Sequence, residues 1–126
     1  MPDKYKSKFE ISVSNELKRK RADFEYEPFK MPFTQPEKRR NYIPDFEVKR
    51  TTILIEAKGK LTKADRDKLL WVREQHPKKV IVLLFQNSRN KLRKGSSTSY
   101  ADWAEKNGFD YADFTREGIP DRWLKK

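Results

Sequence analysis

Short blocks of apolar residues, separated by charged segments, predict several helices and strands around one core. Phe9, Val13 and Leu17 recur every four residues and give an apolar stripe to a first helix that ends near residue 22. Aromatic and acidic residues alternate at positions 24–27, which predicts a strand. The unbroken apolar run at 80–85 is typical of a strand buried in the middle of a sheet.

Two further strands and a second helix follow the same reasoning. The runs at 42–49 and 52–56 have strand character, and the short gap between them predicts a hairpin. Thr62, followed three positions later by Asp65, matches a capping box. We therefore expect a helix to begin there and to end near His76, because a proline comes next.

The last third of the chain predicts a helix, a strand and a final turn. The helix should start near Ser99, which an aspartate follows three positions later, and stop at Asn107-Gly108. We expect a short strand at 109–114 and a terminal turn packed by Trp123. The tryptophans of this chain are better explained as core residues than as platforms for stacked bases.

The segment 28–41 interrupts this pattern. It contains Pro28, Pro32 and Pro36 and then a basic run at 38–40, which makes a poor helix and a poor central strand. We interpret it as an extended bridge or edge segment, which in a dimer could link two half-bodies. The order of helix, strands, helix, strand, helix and strand predicts an α/β fold with a central mixed sheet flanked by helices.

The composition favours one class of binding partner and limits which residues could bind a metal. Lys and Arg total 30 against 19 Asp and Glu, so the net charge of +11 favours a polyanionic partner, with nucleic acid first. No apolar run approaches the roughly 20 residues of a membrane span, and the start has no signal-peptide core, so we expect no membrane partner and a cytosolic location. With no Cys and one His, any metal would need carboxylates and carbonyls, which points to Mg²⁺ or Mn²⁺.

The candidate chemistry lies in Pro44-Asp45, a ten-residue spacer and then Glu56-Ala57-Lys58. Positions two apart in a strand share a face, so Glu56 and Lys58 should point the same way. If the hairpin turns at Arg50-Thr51, Asp45 lies directly opposite Glu56. This register depends on the turn, and Arg-Thr lacks the Gly or Asn that two-residue hairpin turns prefer.

Two opposed carboxylates repel each other unless a cation lies between them. A divalent metal there could neutralise charge on a phosphate, and Lys58 could orient or activate a water beside it. Acid, acid and lysine are what metal-assisted phosphodiester hydrolysis needs. The alternative is that Asp45 and Glu56 are ordinary solvated charges near a surface turn.

Pro-Asp, a spacer and Glu-x-Lys form the signature of the PD-(D/E)xK nuclease superfamily. The wider sequence resembles the bacteriophage endonuclease I family of Holliday-junction resolvases, from about Phe9 onward. The resembling stretches are Phe24-Glu25-Tyr26-Glu27, Tyr42 to Phe46, Glu56-Ala57-Lys58-Gly59, Arg73-Glu74-Gln75-His76-Pro77 and Lys94-Gly95-Ser96-Ser97-Thr98-Ser99-Tyr100.

The resemblance implies a restriction-endonuclease-like nuclease core, Mg²⁺ as cofactor, branched DNA as substrate and the cytoplasm of an infected bacterium as location. It also implies a domain-swapped homodimer, in which Glu10 of one chain completes the site formed by Asp45, Glu56 and Lys58 of the other. From the residues alone, Glu16 on the same helix is an equal candidate. We expect the metal ligands to be Asp45, Glu56 and Glu10, with the Ala57 carbonyl as a further ligand.

The predicted organisation is a single nuclease domain, 1–126. Its first helix and strand, 1–27, would be the part exchanged between chains, 28–41 the bridge, and 42–126 the catalytic core. We expect no small-molecule cofactor.

A basic, hydroxyl-rich segment at 86–100 is the first candidate for DNA contact, because long cations and hydroxyls suit phosphate oxygens. Its cations are Arg89, Lys91, Arg93 and Lys94. Further candidates are Lys38, Arg39, Arg40, Lys63, Arg66 and Lys68. No motif reads base edges, so we expect recognition of DNA shape and backbone.

The function predicted from the sequence is a metal-dependent endonuclease that makes paired cuts in four-way DNA junctions. Two alternatives remain open. One is an endonuclease of the same superfamily that acts on specific or mismatched duplex DNA. The other is a basic nucleic-acid-binding protein without catalysis.

Overall fold

The computed structural model describes residues 4–35 and 38–125 of the chain. In that part of the chain the helices are α1 (Lys8–Arg19), α2 (Lys63–Gln75), α3 (Tyr100–Lys106) and α4 (Phe114–Glu117), and a 3₁₀ turn covers Asp121–Trp123. The strands are β1 (Phe24–Tyr26), β2 (Met31–Gln35), β3 (Lys38–Tyr42), β4 (Phe46–Val48), β5 (Ile53–Lys58), β6 (Val80–Phe85) and β7 (Tyr111–Asp113). None of these helices is long and apolar enough to cross a membrane.

Five strands form one mixed sheet in the order β1-β4-β5-β6-β7. The pairs β1–β4 and β4–β5 are antiparallel, whereas β5, β6 and β7 run parallel to one another. The apolar run at 80–85 is β6, an interior strand, as predicted. The prediction of a central mixed sheet flanked by helices is confirmed.

The two faces of the sheet carry separate apolar layers. Ile81, Leu83 and Phe85 of β6 belong to the layer that contains buried residues of α2, α3 and the β2–β3 hairpin. Val82 and Leu84, one position out of phase, belong to the layer that contains the buried face of α1 and the C-terminal turn. Continuous apolar sequence in β6 therefore serves both layers at once.

The first helix is shorter than predicted. It ends at Arg19 instead of near residue 22, because Arg21 takes a left-handed conformation with φ 57° that stops the helix. Its start is capped by Ser7, whose hydroxyl accepts a hydrogen bond from the Glu10 N–H. The cap and the apolar stripe of Val13 and Leu17 set which side of α1 faces the sheet.

The described residues of the segment 28–41 include two strands that pair with each other. β2 and β3 pair antiparallel as a separate two-stranded sheet, with Met31 opposite Tyr42. This hairpin packs on α2, where Thr34 and Gln75 exchange hydrogen bonds of 2.7 and 2.9 Å. The hairpin was not predicted, because three prolines hid its pairing potential.

The strand predicted at 42–49 is wrong as a single element. Tyr42 closes β3, and Phe46 opens β4. Pro44 lies in the gap between them, and proline has no N–H to offer a strand ladder. This break matters for the site, because it turns the chain at Asp45.

The later elements agree with their predicted start and stop signals. Both capping boxes form, Thr62 with Asp65 and Ser99 with Asp102, and α3 stops at Asn107 as expected. The last strand is shorter than 109–114, because the chain at 109 still caps α3 and residue 114 begins α4, which was not predicted. Trp123 is buried in the terminal turn, as predicted.

Candidate active site

The β4–β5 hairpin has the register that the sequence predicted. Phe46 pairs with Ile55, and Glu47 pairs with Leu54. One further step places Asp45 opposite Glu56. The turn itself lies one residue earlier than predicted, at Lys49-Arg50, where the Thr51 N–H donates to the Val48 carbonyl at 3.3 Å. It forms without Gly or Asn because Arg50 itself adopts the left-handed conformation, with φ 64°.

Asp45 is buried and is held by the neighbouring strand. Its Oδ2 accepts a hydrogen bond of 2.9 Å from the Ala57 N–H. Burial raises the pKa of Asp45 to about 9, together with the nearby carboxylates of Glu56 and Glu10. Negative charge is therefore in excess around Asp45, an arrangement that a cation would relieve.

Glu56 and Lys58 share one face of β5, as predicted. Glu56 is only 6% exposed, and its Oε2 lies 3.3 Å from the Lys58 Nζ. Its other oxygen, Oε1, accepts a 2.6 Å hydrogen bond from the Tyr42 hydroxyl. Burial raises the pKa of Glu56, although Lys58 and the Tyr42 hydroxyl act in the opposite direction.

Lys58 bridges two carboxylates. Its Nζ also lies 3.2 Å from Asp65 Oδ1, at the first turn of α2. Burial lowers the pKa of Lys58, but Glu56 and Asp65 outweigh burial and raise it above the ordinary lysine value. The sequence identified Asp65 only as a helix cap, because its contact with Lys58 depends on the path of the loop between β5 and α2.

The structure brings Glu10 to these residues and leaves Glu16 outside. Glu10 is 8% exposed, and its Oε1 accepts hydrogen bonds from the Tyr26 hydroxyl at 2.6 Å and from the Lys6 N–H at 3.0 Å. Its carboxylate is one of those that raise the pKa of Asp45. Glu16 instead pairs with Arg19 at 2.7 Å, and its carboxylate lies beside Gly118 at the end of α4. Glu10 reaches Asp45 within one chain.

The donor set fits a hard divalent cation. Three buried carboxylates, Glu10, Asp45 and Glu56, converge with one ammonium group, and oxygen ligands are those that Mg²⁺ and Mn²⁺ prefer. No three acidic or imidazole groups of residues 4–35 and 38–125 stand at ligating spacing, and each of the three acids accepts a hydrogen bond from a protein donor. Ala57 is buried beside Asp45, and ligation by its carbonyl stays a prediction.

Comparison with known proteins decides the family. The profile of the phage endonuclease I family matches residues 2–126. The chain is 42% identical over 122 residues to endonuclease I of Escherichia phage T7, an alignment that covers 97% of this chain and 79% of the relative. The chain belongs to the phage endonuclease I family. It is also 45% identical over 109 residues to endodeoxyribonuclease 1 of Enterobacteria phage T3, covering 86% of this chain and 71% of that protein.

In this member of the phage endonuclease I family, the predicted DNA-contact loop starts beside Lys58. The Gln86 N–H, at the end of β6, donates a 3.0 Å hydrogen bond to the Lys58 carbonyl. The loop is anchored by Ser88, whose N–H and hydroxyl both donate to buried Asp113 at 2.8 and 2.9 Å. Its four candidate cations are all solvent-accessible: Arg89, Lys91, Arg93 and Lys94.

A concavity of about 370 Å³ lies between this loop and the residues that follow β5. Lys60 and Thr62 line one side, and Asn90 and Lys91 line the other. Lys60 was missed by sequence reasoning, although its position two residues beyond Lys58 was a usable signal. The concavity joins the basic loop to the end of the sheet that carries Lys58.

The remaining DNA candidates of this family member lie on β3 and α2. Arg39 and Arg40 are exposed, whereas the side chain of Lys38 lies outside the described residues. Lys63 pairs with Asp67 at 2.8 Å, and Arg66 donates to the Leu61 carbonyl at 2.9 Å. Lys68 lines a second concavity with Arg40 and the half-buried Trp71. The structure excludes none of these residues as a DNA contact.

Proposed function

We propose that this phage endonuclease I family member is a Mg²⁺-dependent homodimeric endonuclease that resolves four-way and other branched DNA junctions. The observation that carries the proposal is the convergence of Asp45, Glu56 and Glu10 with the Lys58 ammonium. These are the groups that metal-assisted phosphodiester hydrolysis requires. The names of the T7 and T3 relatives, both endonucleases, support the same reaction class.

Asp45, Glu56, Glu10 and the Ala57 carbonyl are the proposed ligands. A bound Mg²⁺ would neutralise charge on the phosphate and acidify a water molecule. Lys58, flanked by Glu56 and Asp65, carries its proton, so it acts as a hydrogen-bond donor and a positive charge. It would orient the attacking water and stabilise the charge that develops on the phosphate oxygens.

Recognition of branched DNA would come from backbone contacts and shape. The cations of the loop from Arg89 to Lys94 begin beside the proposed site and suit phosphate oxygens. Paired cuts need two sites related by a two-fold axis, which a homodimer supplies.

We further propose that the dimer forms by exchange of residues 1–27, with 28–41 as the hinge. Supporting this, α1 and β1 carry Glu10 together with its hydrogen-bond partner Tyr26, so an exchange would move both side chains together. Exchange of an identical unit creates a dimer without any new type of contact. Glu10 would then meet Asp45 of the partner in the same geometry that it has here within one chain.

The decisive experiment compares cleavage of a four-way junction with cleavage of its matched linear duplex, with and without Mg²⁺. We expect paired cuts in the junction only when Mg²⁺ is present. Equal cutting of both substrates would indicate a duplex endonuclease without junction selectivity. Salt-sensitive binding with no cut in any DNA would leave only a basic binding protein.

A further inference from the structure

Two buried tyrosines donate hydrogen bonds to glutamates of the proposed metal site. The Tyr42 hydroxyl donates to Glu56 Oε1, and the Tyr26 hydroxyl donates to Glu10 Oε1, both at 2.6 Å. Tyr42 is 2% exposed and Tyr26 is 9% exposed, so water does not replace either bond readily. The two tyrosines come from different strands, β3 and β1, yet they make the same contact.

Each hydroxyl fixes one oxygen of a flexible side chain. Glutamate has three side-chain torsions, and a cation site needs its carboxylates held in one orientation before the ion arrives. In Glu56 the tyrosine takes Oε1, while Oε2 faces Lys58 at 3.3 Å. In Glu10 the tyrosine and the Lys6 N–H both take Oε1.

Ring burial alone does not account for these hydroxyls. Tyr26 packs against the ring of Phe46, and Phe46 itself fills this layer without a hydroxyl. A phenylalanine at either tyrosine position would keep the apolar packing and remove only the bond to the acid. At both positions, the bond to the glutamate is therefore the one contact that requires tyrosine instead of phenylalanine.

We propose that Tyr26 and Tyr42 are positioning residues, whose hydroxyls hold Glu10 and Glu56 in the orientation that binds a divalent cation. The inference rests on the proposed function, because it assigns both glutamates to the metal site. Neither tyrosine would contact the reacting phosphate, so each acts only through its glutamate.

The test uses Tyr26→Phe, Tyr42→Phe and a matched control, Tyr111→Phe. Tyr111 donates the same kind of bond to Glu105 at 2.7 Å, but Glu105 is exposed and belongs to α3. Titration of the DNA-free protein with Mn²⁺ by calorimetry should show about 10–100-fold weaker binding in Tyr26→Phe and Tyr42→Phe. Tyr111→Phe should bind Mn²⁺ like the unmodified protein.

Cleavage provides the second readout. Both site variants should bind the junction with unchanged affinity, cut it slowly at low Mg²⁺ and recover at high Mg²⁺, which a general loss of structure would not produce. Circular dichroism checks the fold, and Tyr26→Phe decides the question if Tyr42→Phe does not fold.

Unchanged Mn²⁺ affinity and unchanged Mg²⁺ dependence in the folded variants would overturn the inference while leaving the endonuclease intact. Failure of the unmodified protein to bind Mn²⁺ or to cut DNA would overturn the proposed function, and this inference with it.

Discussion

The Ala57 N–H donates a 2.9 Å hydrogen bond to the Asp45 carboxylate, at the point where β5 passes the start of β4. The donor is a backbone group, so it stays in place when side chains of the site are changed. Asp45 can therefore be replaced by Asn, whose carboxamide oxygen can still accept this hydrogen bond.

Asp45→Asn, Glu56→Gln and Lys58→Met should each lower junction cleavage by at least about 10²–10³-fold, because each removes a group that stabilises charge in the transition state. Single-turnover cleavage measures the loss, and gel mobility shift should show unchanged junction binding. Glu47→Gln is the control, since Glu47 lies on β4 but pairs with Lys49 and Lys79. Full cleavage by Asp45→Asn would refute the proposed site.

Mixed dimers test the exchange of residues 1–27. If Glu10 serves the partner, a heterodimer of a Glu10→Ala chain and an Asp45→Ala chain has one intact site and should nick one strand of a junction. If Glu10 serves its own chain, both sites are broken. The reciprocal control pairs an unmodified chain with a Glu10→Ala, Asp45→Ala double variant, which keeps an intact site only without exchange.

The basic loop should bind phosphates. Substituting Arg89, Arg93 or Lys94 by Ala should weaken junction binding and reduce the slope of log affinity against log salt by about 0.9 for each phosphate that the variant no longer neutralises. Lys78→Ala is the control, because Lys78 is exposed and precedes β6, at the end of the strand remote from Lys58. An unchanged slope in all three loop variants would show that DNA binds elsewhere.

Asp113 should stabilise the fold in a pH-dependent way. Burial raises its pKa, but hydrogen bonds from Ser88 and Arg116 outweigh burial and hold the pKa below its ordinary value. Asp113→Asn should therefore lower the free energy of unfolding by about 1–3 kcal/mol at neutral pH. The contribution is present above the unfolded-state pKa of about 4 and is lost as pH falls through the lower folded pKa.

Urea unfolding at several pH values measures this difference, which should shrink toward about pH 2. Asp67→Asn is the control, since Asp67 pairs with an exposed lysine and should matter little at any pH. A difference between Asp113→Asn and the unmodified protein that stayed constant with pH would contradict the assignment.

The local parts of the site could be predicted from the sequence, because they depend on neighbours along the chain. The period of two in a strand set the shared face of Glu56 and Lys58, and the hairpin register followed from counting. The capping boxes could be predicted for the same reason, because each joins residues three positions apart.

Contacts between distant segments could not be predicted in this way. Nothing in the spacing of α1 distinguished Glu10 from Glu16, since only the packing of the helix on the sheet places Glu10 near Asp45 and Glu16 beside Arg19. The family resemblance supplied Glu10, and the structure shows the side chains around it. The bond from Tyr42 to Glu56 depends on the break at Pro44, where the sequence pattern wrongly predicted a continuous strand.

The docking of the β2–β3 hairpin on α2 connects this helix with the proposed site. Tyr42 is the last residue of β3, so the position of its hydroxyl on Glu56 depends on the pairing of the hairpin. A half-folded copy would carry all the acids and yet lack one of the bonds that hold them. A change that loosens the hairpin would therefore reach the proposed metal site through this one bond, although the hairpin supplies none of the proposed ligands.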